Sequence, residues 1–574
     1  MNIRALLEEE VTMALAAAGA HESPAIVKPA QRAEFGHYQA NGIMAAAKKS
    51  GLKPRELAEK VINHLSTEAA DKIEVAGPGF INIHLNAQFV ANEITKAHKN
   101  DHLNIEKPAA ETIIVDYSSP NLAKEMHIGH LRSTTIGDAV VRILEFLGHD
   151  VIRANHVGDW GAQFGSLLAY MDRLRQQGHE LKSELSDLEQ FYRAASSLFK
   201  TDESFATIAR EYVVRLQQGD RECLTLWKQF IEESIRHCEQ VYDRLNITLT
   251  RDDLSPESSY NSELPRVIEE LSDMGLLVES EGARCVFLDQ FKAKDGSPLP
   301  AIIQKSDGGY PYMATDLAAV RHRSRNLGAN RSLYFVGAEQ QLHLEQLFAV
   351  AKAAGYISET QEFRHLSFGN ILKKDGKRYK TRDGADVKLA DVLDEAVRRA
   401  RDLVDSKTSD LTHEEKLQVS EIVGIGAVKY AELSKNRATD YIFDWDTMLS
   451  FDGNTAPYLL YAYTRIRSIF RRAELDPSQL KGTVDLREDA EIQLAIKLLQ
   501  ATEVLDAVLD DYQPNLWCNY LFELAGLFMS FYEVCTVLKA DAAIKQSRLI
   551  LCDLTAKTLQ QGLGLLGIQT TERM

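Results

Sequence analysis

The sequence lacks the features of a membrane protein and of a disulfide-stabilised protein. It has no run of eighteen apolar residues, so no membrane-spanning helix is expected. Its six cysteines stand far apart, at positions 223, 238, 285, 518, 535 and 552, and none forms a CxxC pair. Neither a disulfide framework nor a protein-bound zinc or other metal site is therefore predicted, and a reducing cytoplasm is the expected compartment.

Internal repeats and low-complexity tracts are also missing, and a leader peptide is not expected. The first twenty residues contain Glu8, Glu9 and Glu10, whereas a secretory signal needs a basic and then an apolar segment. We interpret this stretch as an amphipathic helix near residues 2–19.

Basic residues are in deficit, with 66 Lys and Arg against 83 Asp and Glu, which gives a net charge of −17. This argues against a general nucleic-acid binder, although it leaves room for a local basic surface. With 574 residues, of which 45% are hydrophobic, the chain is expected to form three or four folded domains.

The segment from Ile113 to Leu147 predicts a strand, a loop and a helix. The apolar run Ile113–Val115 is typical of a buried strand, and apolar residues then recur at helical spacing up to Leu147. His127 and His130 are placed at the expected helix start, three residues apart on one face, where a helix N-terminus attracts anions. A histidine pair alone is more often structural, but this position favours polyphosphate binding, with Lys124 just before it.

Further strands are predicted at residues 151–155, 301–304 and 332–337, all in one parallel sheet. The first of them ends in a glycine-containing loop at 156–161, where open α/β sheets place ligands. Charged helical stretches dominate about 165–300, which indicates an insertion that splits a nucleotide-binding fold. From 386 onward the pattern is almost all helical.

Residues 1–110 read as a small α+β unit, with helices near 2–19 and 54–67 and a strand at 79–85. The segment between them, from Phe35 to Asn41, mixes aromatic and polar residues and has two interpretations. It is either a turn leading into a helix, which is favoured because aromatic side chains mostly pack, or a surface that stacks on RNA bases.

Three other groups of residues suit a nucleotide-dependent reaction. Tyr312 and Asp316 are four residues apart, so on a helix they would share a face, where the carboxylate could hold a guanidinium as a fork with the ring packed on it. Taken alone, the pair is better explained as a helix cap and a core tyrosine. Gln340 follows the strand at 332–337 and would reach the sheet crevice. The basic stretch 368–389, with Lys380 and Arg382, is either a solvated turn or a mobile phosphate clamp.

These residues together resemble the class I aminoacyl-tRNA synthetases, and specifically the arginyl-tRNA synthetase family of bacteria. The element that resembles the HIGH signature comprises Pro120, Asn121, Leu122, Ala123, Lys124, Glu125, Met126, His127, Ile128, Gly129 and His130. The resemblance continues through NHVGDWGAQFG at 155–165, YPYMATDLAA at 310–319, VGAEQQLH at 336–343 and NTAPYLLYAYTRIRSI at 454–469. It thus covers essentially the whole chain.

The resemblance implies an α/β fold, with a Rossmann-like catalytic core of parallel strands. Its expected extent is 111–385, with an insertion at about 165–300. An N-terminal tRNA-contacting α+β domain would occupy 1–110, a connecting helical region 386–453, and an all-α anticodon-binding bundle 454–574. The implied enzyme is a cytoplasmic monomer that joins arginine to tRNA(Arg). It would use Mg-ATP to form arginyl-adenylate, and activation would generally need bound tRNA.

The resemblance also implies roles for individual residues. Arginine would be bound by Asp116, Asn121, Tyr312, Asp316 and Gln340. ATP would be bound by His127, Gly129 and His130, with Lys124, Lys380 and Arg382 as further catalytic candidates. The tRNA would be contacted by Phe35, Tyr38, Gln39, Asn41, Tyr458, Arg465 and Arg467.

Two departures from the family pattern affect these roles. The second signature, KMSKS, is not present as such, and the stretch 378–382 stands in its place, so Lys124 is the candidate that compensates for a missing cation. His37 stands where the family often has Asp, which leaves the RNA role of its neighbours open.

Three alternative interpretations remain. A cysteine-type class I synthetase would need a zinc cluster, which the scattered cysteines do not supply. A catalytically inert tRNA-binding relative would not need the full set of site residues. A nucleotidyltransferase for small molecules would not need the bundle at 454–574, although the acidic net charge favours it mildly.

Overall fold

The N-terminal part of the chain packs helices on a four-stranded antiparallel sheet. The computed structural model describes residues 1–181, 185, 187–379, 387–407 and 410–574, without the side chains of Ala33 and Lys407. In sheet order the strands are Val27–Pro29, Tyr38–Ala40, Phe80–Leu85 and Ala70–Ala76. The helices are Ile3–Ala17, Ile43–Ser50, Pro54–His64 and Ala87–His98, with a 3-10 turn at Ala33–Phe35. The two helices and the strand predicted here are confirmed.

The segment from Phe35 to Asn41 supplies an inner strand of this sheet rather than an exposed surface. Tyr38 is 0% exposed, and its hydroxyl donates to the Glu503 carboxylate in the C-terminal helices. A ring without exposed surface cannot stack on a base, which corrects the place of Tyr38 among the tRNA contacts. Phe35, Gln39 and Asn41 are half-buried, and their tRNA role stays a prediction.

The centre of the molecule is a parallel sheet of four strands. In sheet order these are Glu362–His365, Arg331–Tyr334, Thr112–Asp116 and Asp150–Ala154, and all their pairings are parallel. Ile113 and Val115 are completely buried, as a strand covered on both faces requires. The carboxyl ends of three of these strands, and the loops that follow them, meet at one edge of the sheet.

The strand Thr112–Asp116 is followed in the chain by the helix His130–Phe146, so the predicted strand–loop–helix is confirmed. It is buried on nearly all sides, between the sheet and later helices. Arg132 on this helix donates to Glu432 on the helix His413–Leu433 at 2.6 Å, and both side chains are buried. Gly137 lets it approach the sheet, since a Cβ there would lie 2.3 Å from Tyr117.

The insertion combines helices with a sheet of its own. Its helices are Gln163–Gln176, Leu188–Thr201, Glu203–Gln217, Arg221–Arg244 and Leu264–Asp273, with 3-10 turns at Arg251–Asp253 and Glu257–Glu263. The strands Leu277–Ser280, Ala283–Val286 and Ala301–Gln304 form an antiparallel sheet. The prediction that 301–304 belongs to the parallel sheet is wrong. Its residues alternate between buried and exposed, with Ile302 45% exposed, as in an antiparallel sheet that has one solvated face.

Helices surround the remaining strands and form the C-terminal third, as predicted. Those beside the parallel sheet are Tyr312–Arg321, continued by the π-helical turn His322–Asn326, and Gln341–Ala353, preceded by a 3-10 turn at Ala338–Gln340. Those that follow are Leu389–Lys407, His413–Leu433, Trp445–Met448, Ala456–Ala473, Asp489–Leu499, Ala501–Asp511, Pro514–Val534 and Ala542–Leu565, with a 3-10 turn at Pro477–Gln479. The short strands Ile371–Leu372 and Tyr441–Ile442 pair in parallel. Within the described ranges, no helix is both long and apolar enough to cross a membrane.

Candidate active site at the edge of the parallel sheet

A cavity of about 370 Å³ opens at the carboxyl ends of the parallel strands. All five residues predicted to bind arginine line it, namely Asp116, Asn121, Tyr312, Asp316 and Gln340. They come from separate parts of the sequence, and the sheet edge brings them together. The cavity is also lined by titratable residues to which the sequence analysis gave no individual role, namely His156, Glu257, Arg323, Tyr334 and His343.

Asp316 is held by two histidines. Its Oδ2 lies 2.6 Å from His343 Nε2, and its Oδ1 lies 3.4 Å from His156 Nε2. Burial opposes ionisation of this carboxyl, but the interactions with His156 and His343 outweigh it and hold the pKa of Asp316 well below its ordinary value. The carboxylate is therefore ionised, yet one oxygen is engaged. The expected two-oxygen fork is therefore not free: Oδ2 is bound by His343, and Oδ1, with His156 Nε2 at 3.4 Å, is the less engaged oxygen.

Tyr312 and Asp316 lie on one helix, Tyr312–Arg321, as their spacing predicted. Tyr312 is the first residue of that helix and is 58% exposed, so its ring lies at the mouth of the cavity while Asp316 lies deeper. A planar cation bound to Asp316 would have this ring beside it.

Glu257 is a second carboxylate that faces the cavity. Burial, with the charge of Asp316 in the same direction, raises its pKa to about 7 despite the opposing effect of His156. The turn that carries it is fixed by Asp159, which accepts from the Ser258 backbone N–H at 2.9 Å and from its hydroxyl at 2.5 Å. Nothing in the sequence around Glu257 marks it, because its neighbours in space lie far away in the chain.

Asp116 has its charge compensated within the protein. Its Oδ2 lies 2.7 Å from Arg323 Nη2, with both side chains buried, and its Oδ1 accepts from the Ser119 hydroxyl at 2.9 Å. The Arg323 guanidinium lies over the Tyr334 ring. Asp116 lines the cavity as expected, but a guanidinium balances its charge, whereas Asp316 and Glu257 face histidines. This favours those two residues as the partners of a cationic ligand.

The histidines of the 127–130 turn do not share a helix face, because the helix begins only at His130. Their rings lie 4.0 Å apart between centroids. His127 N–H donates to His130 Nδ1 at 3.0 Å, and Gly129 N–H donates to His127 Nδ1 at 3.1 Å. Because a backbone N–H can only donate, each neutral ring carries its proton on Nε2. Burial, together with the charge of His127, lowers the pKa of His130 to about 3, so this ring is neutral at physiological pH.

The loop before this turn is joined to the loop after the second strand. Leu122 N–H donates to the Gly158 carbonyl at 2.9 Å, and Gly158 N–H donates to the Pro120 carbonyl at 3.1 Å. Asn121 is thereby held at the cavity. Lys124 is exposed, with its Nζ 4.5 Å from the centre of the Tyr192 ring. Lys380 and Arg382 lie outside the described residues.

A basic groove of about 660 Å³ occurs on the C-terminal helices. It is lined by Arg465, Arg471, Arg472 and Arg573, together with Tyr461 and Tyr532. Of the other predicted contacts, Tyr458 packs on Phe522, and Arg467 donates to Glu572 at 2.9 Å. A protein of net charge −17 thus has a locally basic surface.

Sequence profiles of three protein families match successive parts of the chain. The profile described as Arginyl tRNA synthetase N terminal domain matches residues 2–85. That of tRNA synthetases class I (R), catalytic domain, matches 93–445, and that of the DALR anticodon binding domain matches 459–574. The chain belongs to the arginyl-tRNA synthetase family.

Individual relatives agree with this family over the full length. The arginine–tRNA ligase of Hahella chejuensis is 54% identical over 578 residues, and that of Vibrio parahaemolyticus is 52% identical over 577, with 100% of each chain covered. Among solved structures, arginyl-tRNA synthetase of Plasmodium falciparum has a TM-score of 0.87 at 29% identity, with 100% of this chain and 99% of that chain covered. The arginyl-tRNA synthetase of Thermus thermophilus has a TM-score of 0.84 at 24% identity over 100% of both chains, which supports the fold.

Membership of the arginyl-tRNA synthetase family confirms the resemblance and the predicted fold class. The Rossmann-like parallel core, the N-terminal α+β part and the C-terminal helical part are all present. Within the described ranges, no group of three His, Cys, Asp or Glu side chains could hold a metal ion.

Proposed function

We propose that this chain is an arginine–tRNA ligase in which the cavity binds L-arginine and the 127–130 turn binds ATP. The observation that carries the proposal is the placement of two carboxylates, Asp316 and Glu257, in one cavity, at which the loop leading into the 127–130 turn is held through Asn121 and Gly158. A cationic side chain would enter the cavity, and its α-carboxylate would remain near the phosphates.

One end of the cavity would take the α-ammonium of arginine and the other its guanidinium. Asn121 and Gln340 would hold the α-ammonium, since both offer amide oxygens at the sheet edge. Asp316 and Glu257 would receive the guanidinium, with Tyr312 beside it. Asp116, neutralised by Arg323, would shape the space between the two ends rather than compete for the cation.

The first chemical step would form arginyl-adenylate. An oxygen of the arginine carboxylate attacks the α-phosphorus of ATP, and pyrophosphate leaves. His127 and His130 would donate from Nε2 to phosphate oxygens on which charge develops, while Gly129 leaves room for the nucleotide. Lys124, Lys380 and Arg382 would neutralise the leaving pyrophosphate. The residues assigned to ATP are imidazoles, a glycine and cations, and the nearby Glu125 lies 3.2 Å from Lys388 Nζ, so Mg²⁺ would be held by the phosphates and would screen their charge.

The second step would transfer arginine to tRNA(Arg). The 2′-hydroxyl oxygen of the terminal adenosine attacks the activated carbonyl carbon, and AMP leaves. Phe35, Gln39 and Asn41 would contact the tRNA from the N-terminal domain, and Tyr458, Arg465 and Arg467 from the C-terminal one, with domain boundaries near 110, 385 and 453. We place the enzyme in the cytoplasm as a monomer whose activation step needs bound tRNA.

Amino-acid-dependent exchange of pyrophosphate into ATP tests this function. It is measured with each of the twenty amino acids, with and without total tRNA. Exchange with arginine alone, and only when tRNA is present, is the expected result. Exchange that depends on another amino acid, or no amino-acid-dependent exchange at all, would overturn the proposal. Arginine-dependent exchange without tRNA would overturn only the tRNA requirement.

A further inference from the structure

His343 reaches the cavity from a different helix than the carboxylate it contacts. It lies in the first turn of the helix Gln341–Ala353, and Asp316 lies in the helix Tyr312–Arg321. His343 Nε2 and Asp316 Oδ2 are 2.6 Å apart, with side-chain exposures of 29% and 23%. The contact is short enough for a charge-assisted hydrogen bond, which is about twice as strong as a neutral one.

We propose that His343 is a positioning residue that fixes the Asp316 carboxylate and thereby sets the preference of the cavity for a guanidinium. The inference rests on the proposed function, since it assigns a role in the binding of arginine. His343 acts through Asp316 and would not itself touch the substrate.

The role follows from what each carboxylate oxygen contacts. Because His343 holds Oδ2, rotation of the carboxylate is restricted, and Oδ1 is directed into the cavity, where its other neighbour, His156 Nε2, is 3.4 Å away. Binding to a group that is already oriented avoids the entropy cost of ordering it. Without His343, the carboxylate could turn toward His156 and present no fixed oxygen to the ligand.

A fixed oxygen also distinguishes a guanidinium from an ammonium. Oδ1 of Asp316 and the carboxyl of Glu257 are two acceptors on separate elements, and a planar guanidinium has donors that point in several fixed directions. A lysine ammonium is a compact point charge, which can bind a rotating carboxylate as well as a fixed one. Loss of His343 should therefore weaken arginine binding more than lysine binding.

The position of His343 also links the two ends of the substrate site. Gln340, proposed for the α-ammonium, directly precedes the helix on which His343 lies. One rigid helix start thus carries an amino-acid contact and the support of the guanidinium contact. The distance between the two ends of the bound arginine is then set by this helix start, not by a loop.

Two substitutions distinguish the effect of losing the hydrogen bond from the effect of losing the histidine ring. His343→Gln keeps a donor near the position of Nε2, whereas His343→Leu removes it at similar volume. Steady-state exchange of pyrophosphate, in the presence of tRNA, gives the Michaelis constants for arginine and for ATP, and inhibition by lysine gives its binding constant.

We expect His343→Leu to raise the arginine Michaelis constant roughly tenfold or more, as the loss of a charge-assisted hydrogen bond implies. The Michaelis constant for ATP and the maximal rate should change little. The inhibition constant of lysine should rise by a smaller factor than the Michaelis constant for arginine. His343→Gln should restore most of the arginine affinity. Equal effects of Gln and Leu, or an unchanged arginine constant in the Leu variant, would overturn the role.

Wild-type exchange separates failure of this inference from failure of the proposed function. If the wild type shows no arginine-dependent exchange, the function itself is wrong. If it does, only the comparison of the variants decides on His343. If thermal melting shows that His343→Leu does not fold, His343→Ala removes the donor with less apolar bulk, and the same comparison with His343→Gln applies.

Discussion

The hydroxyl of Tyr38 donates to both carboxylate oxygens of Glu503, at 3.2 and 3.3 Å, although 465 residues separate the two in sequence. Tyr38 lies in the N-terminal sheet, and Glu503 lies in the helix Ala501–Asp511. Both side chains are buried. The contact joins the N-terminal domain to the C-terminal helices, and it places an ionisable group in a buried interface.

Glu503 should make stability depend on pH. Burial raises its pKa from about 4.5 to about 7, so the folded state binds more protons than the unfolded state between these values. Stability should therefore fall as pH rises from 4.5 to 7, and the loss, on the order of 3 kcal/mol, should be complete above pH 7. The free energy of unfolding of Glu503→Gln should therefore exceed that of the wild type by more at pH 8 than at pH 5. Chemical unfolding at both pH values measures this, and the exposed Glu533→Gln is the control. An equal difference at both pH values would contradict the assignment.

Arginine binding should strengthen as pH rises through 7. Glu257 is mostly protonated below its pKa of about 7, and a guanidinium needs it ionised. The other groups facing it are Asp159, Asp316 and His156, and the raised pKa of His156 acts in the same direction, since its cation competes for Asp316. The dissociation constant should fall by up to about tenfold per pH unit below pH 7.

Calorimetric titration in buffers of different ionisation enthalpy measures this effect. Arginine binding at pH 6 should release a proton, and Glu257→Gln should remove most of that release. If the variant keeps the full pH dependence of the wild type, Glu257 is not the group that titrates.

Asp316→Asn should impair the use of arginine far more than the use of ATP. The substitution removes the ionised partner of the guanidinium, and loss of one charged hydrogen bond corresponds to roughly a ten- to hundredfold rise in the Michaelis constant. Discrimination against neutral citrulline should fall as well. Pyrophosphate exchange measures both constants, with exposed Asp307→Asn as the control. Near-normal arginine use by the variant would remove Asp316 from the site.

The sequence predicted those parts of the site that are encoded locally. The strand Thr112–Asp116 and the helix after it follow from the spacing of apolar residues, and the spacing of Tyr312 and Asp316 placed both on one helix. Gln340 was found because it follows a strand that ends at the sheet edge. Each of these inferences needs only neighbours in sequence.

Contacts between distant segments could not be predicted in the same way. His343 and Glu257 matter because of what packs against them, and their own sequence neighbourhoods show no periodicity that would reveal this. The strand Ala301–Gln304 was assigned to the wrong sheet because a short apolar run does not identify its partner strand. Tyr38 was assigned to the tRNA contacts by the family resemblance, although the residue pattern favoured packing, because the sequence does not show that Glu503 covers it.

His130 should be needed as a neutral donor. His130→Asn keeps an acceptor near the position of Nδ1 for the His127 N–H and loses the donor at Nε2. Adenylate formation should slow by about a hundredfold or more, as when a donor to a developing charge is removed, without a large change in melting temperature. His130→Gln should keep more activity but melt lower, because it loses the internal acceptor. Single-turnover kinetics and thermal melting distinguish the two. A rate for His130→Asn equal to that of the wild type would exclude the donor role.

Lys124 should supply charge to the leaving pyrophosphate. It is exposed on the loop just before the 127–130 turn, and its only described contact is with the Tyr192 ring, 4.5 Å from Nζ to the ring centre, so its ammonium is not neutralised by a carboxylate among the described residues. Lys124→Ala should slow adenylate formation more than tenfold with little change in arginine affinity, because the lysine would act on phosphate and not in the cavity.

Lys124→Arg, which keeps the charge, should retain most of the rate of adenylate formation. Tyr192→Leu should have a smaller effect than Lys124→Ala, because the ring only orients the ammonium. Rapid-quench measurement of adenylate formation in the presence of tRNA, together with calorimetric arginine binding, tests both parts, and an unchanged rate in Lys124→Ala would eliminate this residue as the compensating cation.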